Sequence, residues 1–283
     1  MKGFNPQKKI THFWTRRKRN AHKGNHGRVL VVGGSPPYAG APILASMAVL
    51  RGGGDLVTLC APQAIVQSAN AGFPDILGAP LPGLYINSRH VSHIRSLARE
   101  NDVVLVGNGA GDQSLPALRK LIPMLVRDGT RLVVDAHAFH AMPRGLKGLN
   151  HCIALPHVKE FHLWTGMDVR GLSIPARKKR VRDMIGKNDL VINLKDWRSV
   201  IVGGTKTYIN KTGNPGMTKG GFGDVLAGFT ASFWAQGMPP FEAAACAAWL
   251  NGRMSDRLKR KKWYGYIASD ILEEARTLTK RTF

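Results

Sequence analysis

The sequence has 283 residues, of which 43% are hydrophobic and 21% charged, with 32 Gly and 16 Pro. That balance excludes wholesale disorder and allows a complete core in one or two domains. Lys and Arg number 41 against 18 Asp and Glu, a net charge of +23, so the chain should attract polyanions such as nucleic acid, membrane surfaces or phosphorylated small molecules. No apolar run approaches the roughly 20 residues of a membrane span. None follows the basic N-terminus, so no secretory signal is expected. Cys60, Cys152 and Cys246 are few, odd in number and without metal spacing. They read as reduced core residues, which points to the cytoplasm.

Residues 1–27 are basic and polar, with a cluster at 16–19, and read as a partly flexible arm ending in a helix or turn. The segment RVLVVGG at 28–34 reads as a buried strand. A helix is expected over 41–53, with Pro42 in its first turn, where a missing N–H costs nothing. Strands follow at 56–60 and 102–106, then a helix at 115–127 and a strand at 131–135 that ends in Asp135. A short strand at 152–155 leads into a helix at 157–165. A helix at 175–185, a strand at 189–194 and a hairpin, 199–202 with 207–209, come next. Helices are expected at 222–236, 241–258 and 269–280. Short apolar strands alternating with helices predict a mostly parallel sheet covered on both faces, a three-layer α/β/α fold. The domain should run over 28–283, with 1–27 as the arm.

Ligands of such sheets sit beyond the C-terminal strand ends. The richest strand-end segment is TGNPGMTKGGFGDVLAG at 212–228. A glycine-dense loop entering an apolar helix offers free N–H groups at the positive end of the helix dipole. Asp224 stands at the start of that helix, either as a cap or as a general base beside a bound phosphate. No Gly-Lys-Ser/Thr closes the loop, so it is not a Walker motif. The first loop, GGSPPYAGAP, lacks G-x-G-x-x-G, which argues against an ordinary Rossmann cofactor site. Its Gly40 and Ala41 would let a ligand approach the backbone. His157 and Glu160 share the first turn of one helix, where a Glu is favoured by the dipole alone. Asp135, His137 and His140 match no familiar zinc spacing and read better as polar pocket residues. Lys195, at a strand end, faces either a phosphate or solvent.

Taken in order, these segments resemble the ADP/ATP-dependent NAD(P)H-hydrate dehydratase family, from about Lys23 to the C-terminal helices. The matching stretches are the Gly-Ala-Pro opening, GNGAGD, VVDAHAF, PHVKEF and GNPGMTKGGFGDVLAG. The resemblance implies a ribokinase-like fold. It also implies repair of NADH or NADPH hydrated at C6 of the nicotinamide ring, with a nucleotide phosphoryl group spent to activate the hydroxyl. Asp224 becomes the implied base, with the backbone of Gly221, Phe222 and Gly223 as the anion hole. Ala41, Gly109, His157 and Asp224 match positions that contact the hydrated dinucleotide. Lys195, Asp196, Trp197, Arg198, Ser199 and Gly223 match positions that contact the adenine nucleotide, with ADP favoured over ATP. Mg2+ would bridge phosphate oxygens, and a homotetramer is implied. Any epimerase partner is expected to be a separate protein. His137 stands where the family usually has Asp, and Lys159 where it usually has Gly. Asp196 replaces a Gly, Ser199 a Thr, and Thr218, Lys219 and Phe222 also depart from the pattern. A small-molecule kinase on the same fold is the alternative reading. A basic nucleic-acid-binding protein is a further one, although no recognised module is present and weak salt-sensitive polyanion binding explains the charge as well.

Overall fold

The computed structural model describes residues 4–14, 17, 19–143, 149–186 and 188–277. In chain order its elements are α1 (Pro6–Trp14), β1 (Arg28–Val32), α2 (Gly40–Arg51), β2 (Leu56–Pro62), α3 (Gln63–Gly72), β3 (Leu77–Leu81), α4 (Val91–Arg99), β4 (Val103–Val106), α5 (Leu115–Arg127), β5 (Leu132–Val134) and β6 (Cys152–Ala154). There follow α6 (Val158–Thr165), α7 (Ile174–Ile185), β7 (Leu190–Leu194), β8 (Val200–Gly203), β9 (Lys206–Ile209), α8 (Phe222–Ala235), α9 (Pro240–Lys262) and α10 (Ala268–Arg276). The strands form one sheet in the order β3-β2-β1-β4-β5-β6-β7-β8-β9. Pairing is parallel from β3 through β7, and the hairpin β8–β9 adds antiparallel to β7.

The central strands are buried on both faces, so they are continuously apolar and their side chains divide by parity. Val29 and Val31 point into a core shared with α2, α8 and α9, while Leu30 and Val32 point into one shared with α4 and α5. The two cores make the three layers that the alternating sequence pattern predicts. Among the described residues no helix is long and apolar enough to cross a membrane.

Part of the basic N-terminal segment is docked rather than free. Ile10 of α1 is fully buried in the core beside α9. Lys9 pairs with Glu242 at 3.0 Å, and the Arg17 guanidinium reaches Gln236 Oε1 at 3.1 Å. Arg16 and Lys18 of the predicted cluster lie outside the described residues, as does the end of the helix expected to reach residue 280. The sequence reading had no elements between 63 and 99, where α3, β3 and α4 stand. β3 is an edge strand, LGAPL, mostly exposed and carrying Pro80, so it has neither the apolar run nor the alternation of the other strands.

Register places the site. Val32, Val106, Val134, Ala154 and Ile192 are successive partners across β1, β4, β5, β6 and β7. The loops just beyond that row therefore emerge side by side at one edge.

Candidate active site

Four of those loops deliver polar side chains to one point. Asp135, immediately after β5, is 1% exposed. Its Oδ1 pairs with Lys195 Nζ at 2.5 Å, and Lys195 directly follows β7. Asn108, two residues beyond β4, donates from Nδ2 to Asp135 Oδ2 at 3.1 Å and to Asp224 Oδ1 at 2.6 Å. Glu160, in the first turn of α6, lies 3.7 Å from Lys195 Nζ. Three carboxylates thus share one ammonium and one amide.

The α6 entry holds Glu160 by a reciprocal cap. The His157 N–H donates to Glu160 Oε2 at 2.7 Å, and His157 Nδ1 accepts from the N–H groups of Lys159 and Glu160, both at 3.1 Å. An accepting Nδ1 puts the ring proton of the neutral imidazole on Nε2. Burial, with the nearby Lys195 charge, holds His157 below the usual histidine range, consistent with that neutral form.

The α8 entry supplies the anion cradle. Gly221 caps α8 with φ +93°, a left-handed conformation in which a side chain is strained. The turn is also crowded, because a Cβ there would sit 2.7 Å from Ala268 Cβ and 2.8 Å from Leu44 Cδ1. The first intrahelical bond is Val225 N–H to Gly221 O at 3.0 Å. The N–H groups of Phe222, Gly223 and Asp224 precede it and have no helical carbonyl to donate to. A Cβ on Gly223 would lie 3.7 Å from Lys195 Nζ, so the cradle opens directly onto the ammonium.

Burial pushes Asp224 up to about 6, with the Asp135 carboxylate adding to the rise against the pull of Asn108 and Lys195. Burial likewise pushes Glu160 up to about 7. For Lys195, burial alone would lower the pKa, but Asp135 and Glu160 outweigh it and the ammonium is held above its ordinary value. Asp224 is therefore a carboxyl poised for proton transfer near neutral pH, beside a fixed cation and free helix N–H groups.

The residues singled out in the sequence divide. Asp224, Gly221, Phe222, Gly223, His157 and Lys195 meet here, the last two also through a parallel backbone bridge. Gly109 and Ala41 are neighbours: a Cβ on Gly109, whose φ is +67°, would come 3.1 Å from Ala41 Cβ. Asp196, Trp197, Arg198 and Ser199 follow Lys195, but their side chains contact Arg177, one another or solvent. Asp196 pairs with Arg177, Trp197 is 70% exposed with the Arg198 guanidinium 4.5 Å above its ring, and Ser199 Oγ lies 3.5 Å from Asp196 O. Lys219 is spent on the carbonyls of Tyr264 and Tyr266, tying the glycine loop to the segment before α10. Among the described residues no group of three His, Cys, Asp or Glu could hold a metal ion, so Asp135, His137 and His140 form no such centre. Asn108 was missed in the sequence, where only its flanking glycines drew notice. A polar residue between glycines directly after a parallel strand was the available signal.

A family model described as NAD(P)H-hydrate dehydratase matches residues 29–277. The chain is 38% identical over 268 residues to a bifunctional NAD(P)H-hydrate repair enzyme of Pyrobaculum aerophilum, covering 94% of this chain and 53% of that protein. It therefore spans about half the length of the bifunctional relatives it matches. It is 34% identical over 272 residues to the ADP-dependent (S)-NAD(P)H-hydrate dehydratase of Nitrosopumilus maritimus, covering 96% and 94% of the two chains. A ribokinase-like superfamily protein of Enterococcus faecalis superposes with a TM-score of 0.83 at 24% identity, covering 97% of this chain and 96% of that one, which shows the fold. With the family pattern matched over most of its length, on a ribokinase-like fold, this chain belongs to the NAD(P)H-hydrate dehydratase family.

Proposed function

We propose that the chain dehydrates hydrated NADH or NADPH with ADP as phosphoryl donor and so restores the dihydronicotinamide. The observation that supports this most is Asp224: a part-buried carboxyl with its pKa pushed up to about 6, behind the Gly221 cradle and near Lys195. The near-full-length likeness to a protein named as ADP-dependent supports the choice of donor.

On this reading, Asp224 takes the proton from the ring hydroxyl at C6. The hydroxyl oxygen forms a bond to the terminal phosphorus of ADP as the bond to the AMP oxygen breaks. The backbone N–H groups around Gly221, Phe222 and Gly223 meet the charge on the transferring phosphoryl group, and Lys195 stands ready on its other side. The C6–O bond then breaks with electrons from the ring nitrogen, phosphate leaves, and loss of a proton from C5 closes the double bond. Water has been removed and ADP has become AMP and phosphate. Asn108 holds Asp224 in place. Ala41, Gly109 and His157 are assigned to the hydrated dinucleotide, and Lys195 through Ser199 with Gly223 to the adenine nucleotide. Because the side chains of Asp196, Trp197 and Arg198 are engaged elsewhere, this loop would act mainly through its backbone.

The residues fit a Mg2+ carried on the nucleotide rather than a resident ion. They offer no three-ligand cluster among the described residues, and Mg2+ bound to phosphates needs only one or two carboxylates. Asp135 and Glu160 are the carboxylates at hand. Such an ion would neutralise charge on the phosphate oxygens.

The test mixes the protein with hydrated NADH or NADPH, Mg2+ and either ADP or ATP, and follows return of the dihydronicotinamide absorbance. Nucleotide-dependent recovery that Asp224→Asn abolishes is the expected result. A stable phosphorylated product would instead indicate a small-molecule kinase. The +23 charge supports weak polyanion binding that is separate from this activity. Retention on heparin that modest salt removes, with activity unchanged, is the expected result, and retention that persists at high salt would contradict weak binding.

A further inference from the structure

We propose that the cavity next to the reaction centre is an anion site for the 2′-phosphate of the substrate, so that this chain prefers hydrated NADPH to hydrated NADH. His137 and Lys159 are the residues that set the preference. The inference rests on the function proposed above.

The cavity has a volume of about 360 Å³ and is lined by His137, His140, His157, Lys159 and Glu160 among others. It abuts the centre through Glu160, which is already committed to Lys195 and to the His157 N–H. That leaves three imidazoles and one ammonium facing the space. Lys159 makes no ion pair among the described residues. Burial holds His137 below the usual histidine range, with the Asp112 carboxylate drawing it partly back up and His140 pushing it down. The helix itself offers the anion little, since the N–H groups of Lys159 and Glu160 are accepted by His157 Nδ1. Recognition must therefore come from side chains.

A row of rings connects the cavity to the dinucleotide positions. The Tyr38 carbonyl lies 2.4 Å from where a Cβ on Gly109 would stand. The Tyr38 ring is 5.4 Å from that of His137, which is 6.2 Å from that of His140. The row thus runs from beside Gly109 to the cavity, which His137 and His140 line. Hydrated NADH and hydrated NADPH share every group except one phosphate. Lys159 gives the pocket on this path one fixed cation, and the extra phosphate is the one group by which it can tell the two substrates apart. A Lys and imidazoles able to take up a proton beside a dianion are suited to it.

Steady-state kinetics on both hydrates, with wild type, Lys159→Ala and His137→Gln, tests the proposal. Wild type is expected to favour hydrated NADPH. Each variant should lower the ratio of the two kcat/KM values by roughly tenfold, as loss of one charged hydrogen bond does. Equal falls for both hydrates, or an unaltered ratio, would overturn it. Calorimetric titration with NADP+ and NAD+ keeps the two readings apart. Tighter NADP+ binding that Lys159→Ala removes supports the site even if neither hydrate is turned over, a result that would sink only the dehydratase reading. Equal affinity of wild type for both dinucleotides overturns the phosphate site.

Discussion

Asn108 and Asp224 lie 116 residues apart in sequence, yet the Asn108 amide donates to the Asp224 carboxylate at 2.6 Å. The same Nδ2 also serves Asp135, while Asn108 Oδ1 is buried with no hydrogen-bond partner. The amide is thus oriented by two carboxylates. Its bond favours ionised Asp224. Asn108→Leu should remove that bias and raise the Asp224 pKa above about 6. The acidic limb of the kcat/KM profile should move to higher pH, and a pH-rate series on the variant checks the shift.

Asp224 carries a cost in stability. Its pKa is about 6 in the fold against 3.8 for the ordinary carboxyl, so between these values the folded chain holds a proton that the unfolded chain has shed. Stability therefore falls as pH rises through that window, by about 2–3 kcal/mol once Asp224 is fully ionised. Asp224→Asn should lose roughly 10²–10⁴-fold in kcat as a missing general base. It should nevertheless melt higher than wild type at pH 8 and match it near pH 4. Thermal melts at the two pH values decide the matter.

Two neighbouring glycines should respond in opposite ways. Gly223 lies inside α8 without a left-handed φ, and an added methyl would be 3.7 Å from Lys195 Nζ. Gly223→Ala should fold normally and lose turnover, because the methyl fills the space assigned to the phosphoryl group. Gly221→Ala meets both a φ of +93° and contacts under 3 Å, so it should destabilise the fold by about 1–3 kcal/mol. Denaturant titration alongside the assay separates these effects.

Asp135 is buried and Lys195 is its ammonium partner, so removing Lys195 leaves a buried carboxylate uncompensated. Lys195→Met is expected to cost about 3–5 kcal/mol. Adding Asp135→Asn should recover most of that loss without restoring activity. A double-mutant cycle on urea unfolding measures the recovery.

Much of the fold was legible because the central strands are unbroken apolar runs between glycine turns. The edge strand β3 was not, since its Leu-Gly-Ala-Pro-Leu faces solvent and lacks a periodic pattern. The docking of α1 was hidden by the charge around Ile10 and Pro6, the buried residues of a helix in a basic segment. At the site, Asp224 and its glycines could be read from spacing, because a helix entry is local in sequence. The Asn108–Asp135–Lys195–Glu160 network could not. It depends on which strand ends become neighbours, and that follows from the strand order rather than from any one segment.

Asp135 and the lysine that neutralises it are 60 residues apart, on opposite sides of β6. While the chain emerges from the ribosome, β1 to β5 are complete before β7 exists. Asp135 therefore stands at an open edge until β6 and β7 are laid down beside it. The ion pair at the centre of the site can form only once the sheet has been built out to β7, so the site is completed by the second half of the chain.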